Sequence, residues 1–266
     1  MNKTKIDWAD SSWNPVTGCL HGCTYCYARN MAHRFSGVGY ELCGHDFLGY
    51  DLLELDEPYI WTDEYNEPHR IAYPADFKPT LHRYKLDDYK NKSGRTIFVC
   101  SMADLFGDFI PDEWIKEVLD ACAAAPQHRY LFLTKNPKRY IALAEKGLLP
   151  EYDNYWYGTT VTNSADFIPP CRAETLSRLK GLNRFLSVEP LLGEIHGIAL
   201  QNIHRFGWVI VGAESGNRKD KVTPERSWIE AIAKICVIEK TPVFMKESLR
   251  GIMGVDFIQQ FPWEVQ

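Results

Sequence analysis

Arg129-Tyr130-Leu131-Phe132-Leu133-Thr134-Lys135-Asn136-Pro137 leads straight into Lys138-Arg139-Tyr140-Ile141-Ala142-Leu143-Ala144-Glu145-Lys146-Gly147. The first run is apolar almost throughout until Thr134, which is how a strand covered on both faces reads. The second opens at a proline and stops before a glycine, the start and stop of a helix. Together they make one strand–helix unit. The same unit recurs on either side. Strands are predicted at Thr96–Ser101, Tyr155–Val161, Arg184–Glu189, Trp208–Gly212 and Pro242–Lys246, with an earlier one near Ser12–Thr17. Helices are predicted at Pro111–Ala124, whose first turn carries acids, at Pro170–Lys180 before Gly181, and at Pro224–Glu239, where Trp228, Ile229, Ile232 and Ile235 fall at helical spacing. Apolar strands alternating with helices specify a parallel sheet covered by helices. The expected fold is α/β, a partial (β/α)6-type open TIM-like barrel with six or seven parallel strands.

With 266 residues, 45% of them hydrophobic, the chain can bury one large core, and a single barrel domain over 1–266 is expected. Residues from about 36 to 95 show no clear period and carry Tyr50, Tyr59, Trp61, Tyr65 and Tyr73. They read as an irregular, aromatic-rich insertion, either packed on the barrel flank or lying over a substrate. Thirty basic against 35 acidic residues give a net charge of −5, so no global basic field favours non-specific nucleic-acid binding, although a local basic groove is compatible with it. Nothing at the start of the sequence resembles a secretion signal and no apolar run is long enough for a membrane span, so no membrane partner is expected. Eight cysteines in such a chain fit a reducing cytoplasm. Cys43, Cys100, Cys122, Cys171 and Cys236 are scattered and read as small buried hydrophobes.

The other three form a motif. Cys19-Leu20-His21-Gly22-Cys23-Thr24-Tyr25-Cys26 spaces its thiols by three and then two residues, and the helix-forming run Tyr27–Ala32 follows at once. Three thiolates on one loop can hold three irons of a cubane cluster and leave the fourth without a protein ligand, an open position where a metal centre does chemistry. A structural zinc site could use the same cysteines with His21, His33 or His45, although zinc sites usually join two close ligand pairs and no second pair is present. A disulfide framework is disfavoured in a chain of this length. Gly18 and Gly22 let the loop turn tightly.

Polar residues collect where each apolar run stops, at Ser101 and Asp104, Thr134 and Lys135, Thr160, Thr162 and Asn163, Ser187 and Glu189, Gly212 and Glu214, and Lys246. One such ending is ordinary turn chemistry. Six in succession would converge on one cavity, because parallel α/β folds place their ligands at the carboxyl ends of the strands.

The cysteine spacing, with an aromatic just before the last thiol, resembles the signature of the radical S-adenosylmethionine (SAM) superfamily. Further blocks extend the likeness over nearly the whole chain: Trp13-Asn14-Pro15-Val16-Thr17-Gly18-Cys19, Ser101-Met102-Ala103-Asp104-Leu105-Phe106, Leu133-Thr134-Lys135, Ser187-Val188-Glu189-Pro190-Leu191-Leu192 and Trp208-Val209-Ile210-Val211-Gly212-Ala213-Glu214-Ser215-Gly216. These resemble a phage-associated radical SAM family of unknown function. The chain departs from the family's pattern at Gly107, Asn136, Thr162 and Met245-Lys246-Glu247-Ser248, on the expected substrate side, so membership does not fix the substrate.

The resemblance implies a [4Fe-4S] cluster on Cys19, Cys23 and Cys26, with SAM chelated at the open iron and cleaved reductively to a 5′-deoxyadenosyl radical that abstracts hydrogen from a substrate. It implies Tyr25 near the adenine, Ser101 and Asp104 near the SAM amino group, and Lys135 for the carboxylate or a substrate anion. Thr160, Thr162, Asn163, Ser187 and Glu189 are candidate ribose contacts, and Gly212 and Glu214 approach the adenine. It names no catalytic residue. Each position has a plainer role: Tyr25 packing the loop, His21 exposed on it, Asp104 capping a turn, Glu214 facing solvent. A buried Glu189 would need a partner, for which Lys135 and Lys246 are candidates. The expected partners are SAM, an external one-electron reductant such as a flavodoxin or ferredoxin, and a nucleic acid component as substrate. A peptide or protein side chain is the alternative substrate. A non-enzymatic cluster- or zinc-binding sensor or partner subunit, and a barrel hydrolase with incidental cysteines, are the rival classes.

Overall fold

The computed structural model describes residues 4, 6–46, 52–167, 171–216 and 218–264, of which 37–46 by backbone only. In chain order the strands are β1 (Ser11–Trp13), β2 (Val16–Thr17), β3 (Leu53–Leu55), β4 (Ile60–Thr62), β5 (Pro68–Arg70), β6 (Thr80–His82), β7 (Thr96–Val99), β8 (Arg129–Thr134), β9 (Tyr155–Thr160), β10 (Asn183–Val188), β11 (Trp208–Val211) and β12 (Val243–Met245). The α-helices are α1 (Tyr27–Asp46), α2 (Asp112–Ala123), α3 (Lys138–Glu145), α4 (Arg172–Ser177), α5 (Gly197–Gln201), α6 (Arg226–Ile238) and α7 (Arg250–Met253).

Seven strands, in the order β1-β7-β8-β9-β10-β11-β12, form one all-parallel sheet curled into a half-barrel, an α/β TIM-like fold. From β7 to β12 every connection carries a helix, α2 to α6 in turn, as parallel pairing requires. The open edge of β12 is covered by the chain beyond it. Met245 N–H donates to Ile258 O at 2.8 Å and Gln260 N–H to Val243 O at 3.0 Å, so that edge is closed to other chains.

The strand expected near Ser12–Thr17 is two strands in two sheets. β1 pairs with β7, whereas β2 pairs antiparallel with β6 in a three-stranded sheet, β2-β6-β3. The break falls at Asn14-Pro15, where proline offers no ladder N–H and Asn14 Oδ1 accepts from Ser101 Oγ at 3.1 Å and Met102 N at 2.9 Å. The stretch 36–95 contains more order than its sequence suggests. Helix α1 runs on through Asp46, and β3, β6 and the antiparallel pair β4–β5 follow. The helix expected from Pro170 starts at Arg172; Pro170 itself lies outside the described residues.

Period-two alternation divides the sheet into two faces. Ile97, Val99, Tyr130, Phe132, Tyr155, Tyr157, Leu186, Val188, Val209 and Val211 lie beneath the helices, packed with Trp114, Val118, Tyr140, Ile229 and Ile232. The intervening residues Phe98, Leu131, Trp156, Phe185, Trp208, Ile210 and Phe244 line the concave face and pack with Trp8, Phe261 and Trp263. Gly158 makes room there, since a Cβ would lie 2.4 Å from the Phe185 ring. Trp208 is fully buried at the centre of this plug, touching the rings of Trp8, Trp156, Phe185, Phe244, Phe261 and Trp263, and its Nε1 donates to Gln260 O at 2.9 Å. Trp208→Ala is expected to cost about 3–5 kcal/mol by transfer and cavity effects, read as a lowered urea midpoint with an unchanged slope.

Candidate active site

The cysteine loop leaves the sheet between β2 and α1 and is held from two sides. Gly18 N–H donates to Met102 O at 2.9 Å beside the loop after β7, and Cys19 N–H donates to Phe77 O at 3.1 Å on the opposite flank. Gly18 sits at φ +87°, and a Cβ there would come within 2.1 Å of Lys78 O, so both conformation and space exclude a side chain. The loop closes with Cys26 N–H on Cys23 O at 3.3 Å, and Cys26 Sγ accepts from Arg29 N–H at 3.4 Å in the first turn of α1. Cys19 and Cys26 pack beside Ala28, Ala32, Phe77 and Met102. The 36–95 stretch therefore does not only cover the flank: its Phe77–Lys78 end is one wall of the loop.

All three thiols are half-buried and none is in a disulfide. Burial pushes the Cys19 thiol up to about 12 against a backbone hydrogen bond at His21; Asp104 and Cys26 push the same way and Lys135 opposes them. Three soft donors within eight residues suit iron–sulfur or zinc chemistry. Among the described residues, no three His, Cys, Asp or Glu side chains converge as a ligand set, so the donors match a metal group in kind but are not drawn together as a loaded site would have them.

Asp104 lies at the centre of the constraint. Its carboxylate, 6% exposed, pairs with His21 Nε2 at 2.7 Å and accepts from Phe106 N at 3.1 Å and Lys135 N at 2.8 Å. Burial works to raise its pKa, but the hydrogen bonds from His21, Thr134 and the Lys135 backbone, together with the His21 charge, hold it below the usual aspartate value. Asp104 is thus more than the cap of its own turn, and His21 is not a free loop histidine; its ring also stands edge-on to Phe109 at 5.3 Å. Ser101 Oγ donates to Asn14, and Ser101 O accepts from Tyr27 at 3.0 Å. The Tyr27 ring is 44% exposed, yet burial around its hydroxyl, then the charge of Glu189, pushes its pKa up to about 12. Tyr25 is likewise raised to about 12, by burial and then by the charge of Cys23, and Lys135 Nζ stands 5.7 Å from its ring centroid.

Above the aromatic plug the concave face turns polar. Thr160 and Ser187 are register partners, 3% and 1% exposed. One step further along, Lys246 Nζ pairs with Glu189 Oε1, and the two side chains cross Gly212, where a Cβ would lie 2.8 Å from Lys246 Cδ and 3.2 Å from Glu189 Cγ. Glu189 precedes a cis peptide to Pro190. Glu189, which is half-buried, has its partner in Lys246 rather than Lys135.

Thr162, Asn163 and Glu214 are engaged locally. Thr162 N and Oγ1 donate to Asp166 Oδ2 at 2.7 and 3.0 Å, and Asn163 Oδ1 accepts from Ala165 N at 2.9 Å. Glu214 does not face solvent: it is 2% exposed, accepts from Arg218 Nε and Nη2 at 2.6 and 2.8 Å, and this pairing holds its pKa below the ordinary value.

The model of one family, "Protein of unknown function (DUF5131)", matches residues 3–251. The chain belongs to this family. No curated protein matches. Among solved structures, this DUF5131 member resembles spore photoproduct lyase complexed with dinucleoside spore photoproduct, at TM-score 0.52 and 11% identity over 92% of this chain and 78% of the lyase. A mutant of that lyase with no ligand in its description matches with the same TM-score and coverage at 10% identity. At such identity the likeness is one of fold.

Asn14, Tyr27 and Phe77 join this site although the sequence reading assigns none of them to it, and Lys246, read there as a candidate partner of Glu189, takes that place. Asn14 and Tyr27 stand inside or directly beside the quoted motifs, a usable signal; the position of Phe77 in the irregular stretch carried none. Because Asp104 has a depressed folded-state pKa, its stabilisation is present above about 3.9, its unfolded value, and is lost as pH falls through the folded value. Asp104→Asn is expected to flatten the acid limb of the urea midpoint below about pH 4, measured against the parent chain.

Proposed function

We propose that this protein is a radical SAM enzyme with Cys19, Cys23 and Cys26 as ligands of a [4Fe-4S] cluster. The observation that carries the reading is the three-thiol loop, clamped at the carboxyl ends of a parallel half-barrel beside the polar end of its concave face. Such ends are where this class of fold binds its ligands. When bound and reduced, the cluster would supply the electron that cleaves SAM to methionine and a 5′-deoxyadenosyl radical able to take a hydrogen atom from a substrate.

The chain's own residues have definable tasks in this reading. The hydroxyls of Thr160 and Ser187, side by side on neighbouring strands of the concave face, suit a ribose diol. Glu189 and Lys246, held by each other over Gly212, present both charge signs to a zwitterionic methionyl group. Tyr25 and Lys135 stand at the loop side for the adenine or an anion. Asp104, bound to His21 and to the chain after β8, positions the loop, whereas Thr162, Asn163 and Glu214 hold the rim rather than the ligand. The described fold is compatible with one domain over the chain, in which 36–95 walls the cluster side. Among the described residues no helix is long and apolar enough to cross a membrane. The reading takes a flavodoxin or ferredoxin as one-electron donor and a nucleic acid component as substrate. The dinucleoside bound by the lyase of similar fold and the tyrosines around the loop favour that substrate class, because aromatic rings stack on bases.

Anaerobic reconstitution with iron and sulfide, followed by dithionite and SAM, tests the reading. The expected result is a cubane cluster and 5′-deoxyadenosine from the parent chain, with both lost in Cys23→Ala. A reconstituted protein that takes up stoichiometric zinc and no cluster rejects it. Glu189→Gln is expected to retain the cluster absorbance and weaken SAM binding about tenfold, the effect of one charge-assisted contact, read by equilibrium dialysis.

A further inference from the structure

At the opposite end of the half-barrel, the starts of β7, β8 and β9 surround a second cleft of ≈ 370 Å³. Two arginines line it. Arg129 is stacked on the Trp263 ring, with its guanidinium carbon 3.9 Å from the centroid, and Nη1 donates to Thr96 Oγ1 at 3.3 Å. Arg95 donates from Nη1 to Ser11 Oγ at 3.2 Å, while its Nε is buried with no partner among the described residues. Neither guanidinium forms a salt bridge among the described residues. The carboxylate in the cleft, Asp10, accepts the Thr96 backbone N–H at 2.7 Å, and its charge, then that of Glu264, acts on Arg129 through space without a direct pair. His128, 1% exposed, lines the same cleft; its Nε2 donates to Tyr89 O at 2.9 Å and Nδ1 has no partner among the described residues.

This is an uncommon use of arginine. Both side chains are half-buried, and a guanidinium so placed is commonly matched by a carboxylate or by carbonyls. Here two are brought together on adjacent parallel strands, one fixed flat against an indole, with N–H donors left over. Fork-shaped donors held rigidly suit an oxyanion better than a point charge does. Trp263 cannot also stack a ligand ring, since Phe261 packs parallel to it at 5.2 Å and Arg129 covers it.

We infer that the cleft formed by Arg95 and Arg129 binds an oxyanion, the phosphoryl or carboxyl group of a small molecule, at a site separate from the cysteine loop. The inference does not depend on the radical SAM reading, because the two sites lie at opposite ends of the strands.

Calorimetric titration of the full chain with inorganic phosphate, and in parallel with acetate, at matched ionic strength set by chloride tests it. Saturable binding of phosphate or of acetate is expected, and which of them binds identifies the group. Affinity is expected to fall about tenfold in Arg129→Lys, which keeps charge and loses the fork, and similarly in Arg95→Gln. Near-UV circular dichroism matching the parent shows that each variant is folded; if one is not, the other decides. Absence of saturable heat with both anions up to about 10 mM, weaker than useful recognition, or binding unchanged in both folded variants, overturns the inference.

Discussion

The buried carboxylate of Asp104 ties together parts of the chain that have no covalent reason to meet. It takes His21 from the cysteine loop, Phe106 from its own turn and Lys135 from the end of β8. An aspartate this enclosed is tolerated only because every side of it is answered by a donor. The arrangement is therefore all or nothing: a loop that moved away would strand a charge in the interior. That penalty, more than any preference of the loop itself, sets where the three thiols stand relative to the sheet. Gly18, which leaves no space for a side chain against Lys78 O, fixes the loop from the other flank.

The concave face changes character along the strands. At one end Trp8, Trp156, Trp208 and Phe244 make a dry plug; at the other the same alternating positions become Thr160, Ser187, Glu189 and Lys246. Apolar packing supplies rigidity and leaves the polar end free for chemistry. The neighbouring hydroxyls of Thr160 and Ser187 mark where the packed core gives way to a polar surface.

Much of the architecture was legible in the sequence because doubly buried strands leave a continuous apolar trace. Arg129–Thr134 is a strand over the expected residues, and the helices bounded by Pro111, Pro137 and Gly147 fall within a residue or two of their signals. The small strands β3 to β6 were not legible. Each is three residues long, half of their residues are exposed, and they carry no periodic signal. Within the site, the strand-end rule found Asp104, Ser187 and Glu189, but not what each one binds. That Glu189 meets Lys246 rather than Lys135, and that Glu214 turns inward to Arg218, follow from register and loop path, which a linear pattern does not encode.

The pairing of Glu189 with Lys246 spans 57 positions and joins β10 to β12. During synthesis the chain emerges in order, so the thiol loop, Asp104 and Glu189 leave the ribosome while the cavity still lacks its last wall and Glu189 its counter-charge. A nascent chain at that stage exposes three reactive thiols beside an unfinished barrel. The charge pair that completes the polar end of the concave face is therefore a late step of folding, possible only once β12 has been made.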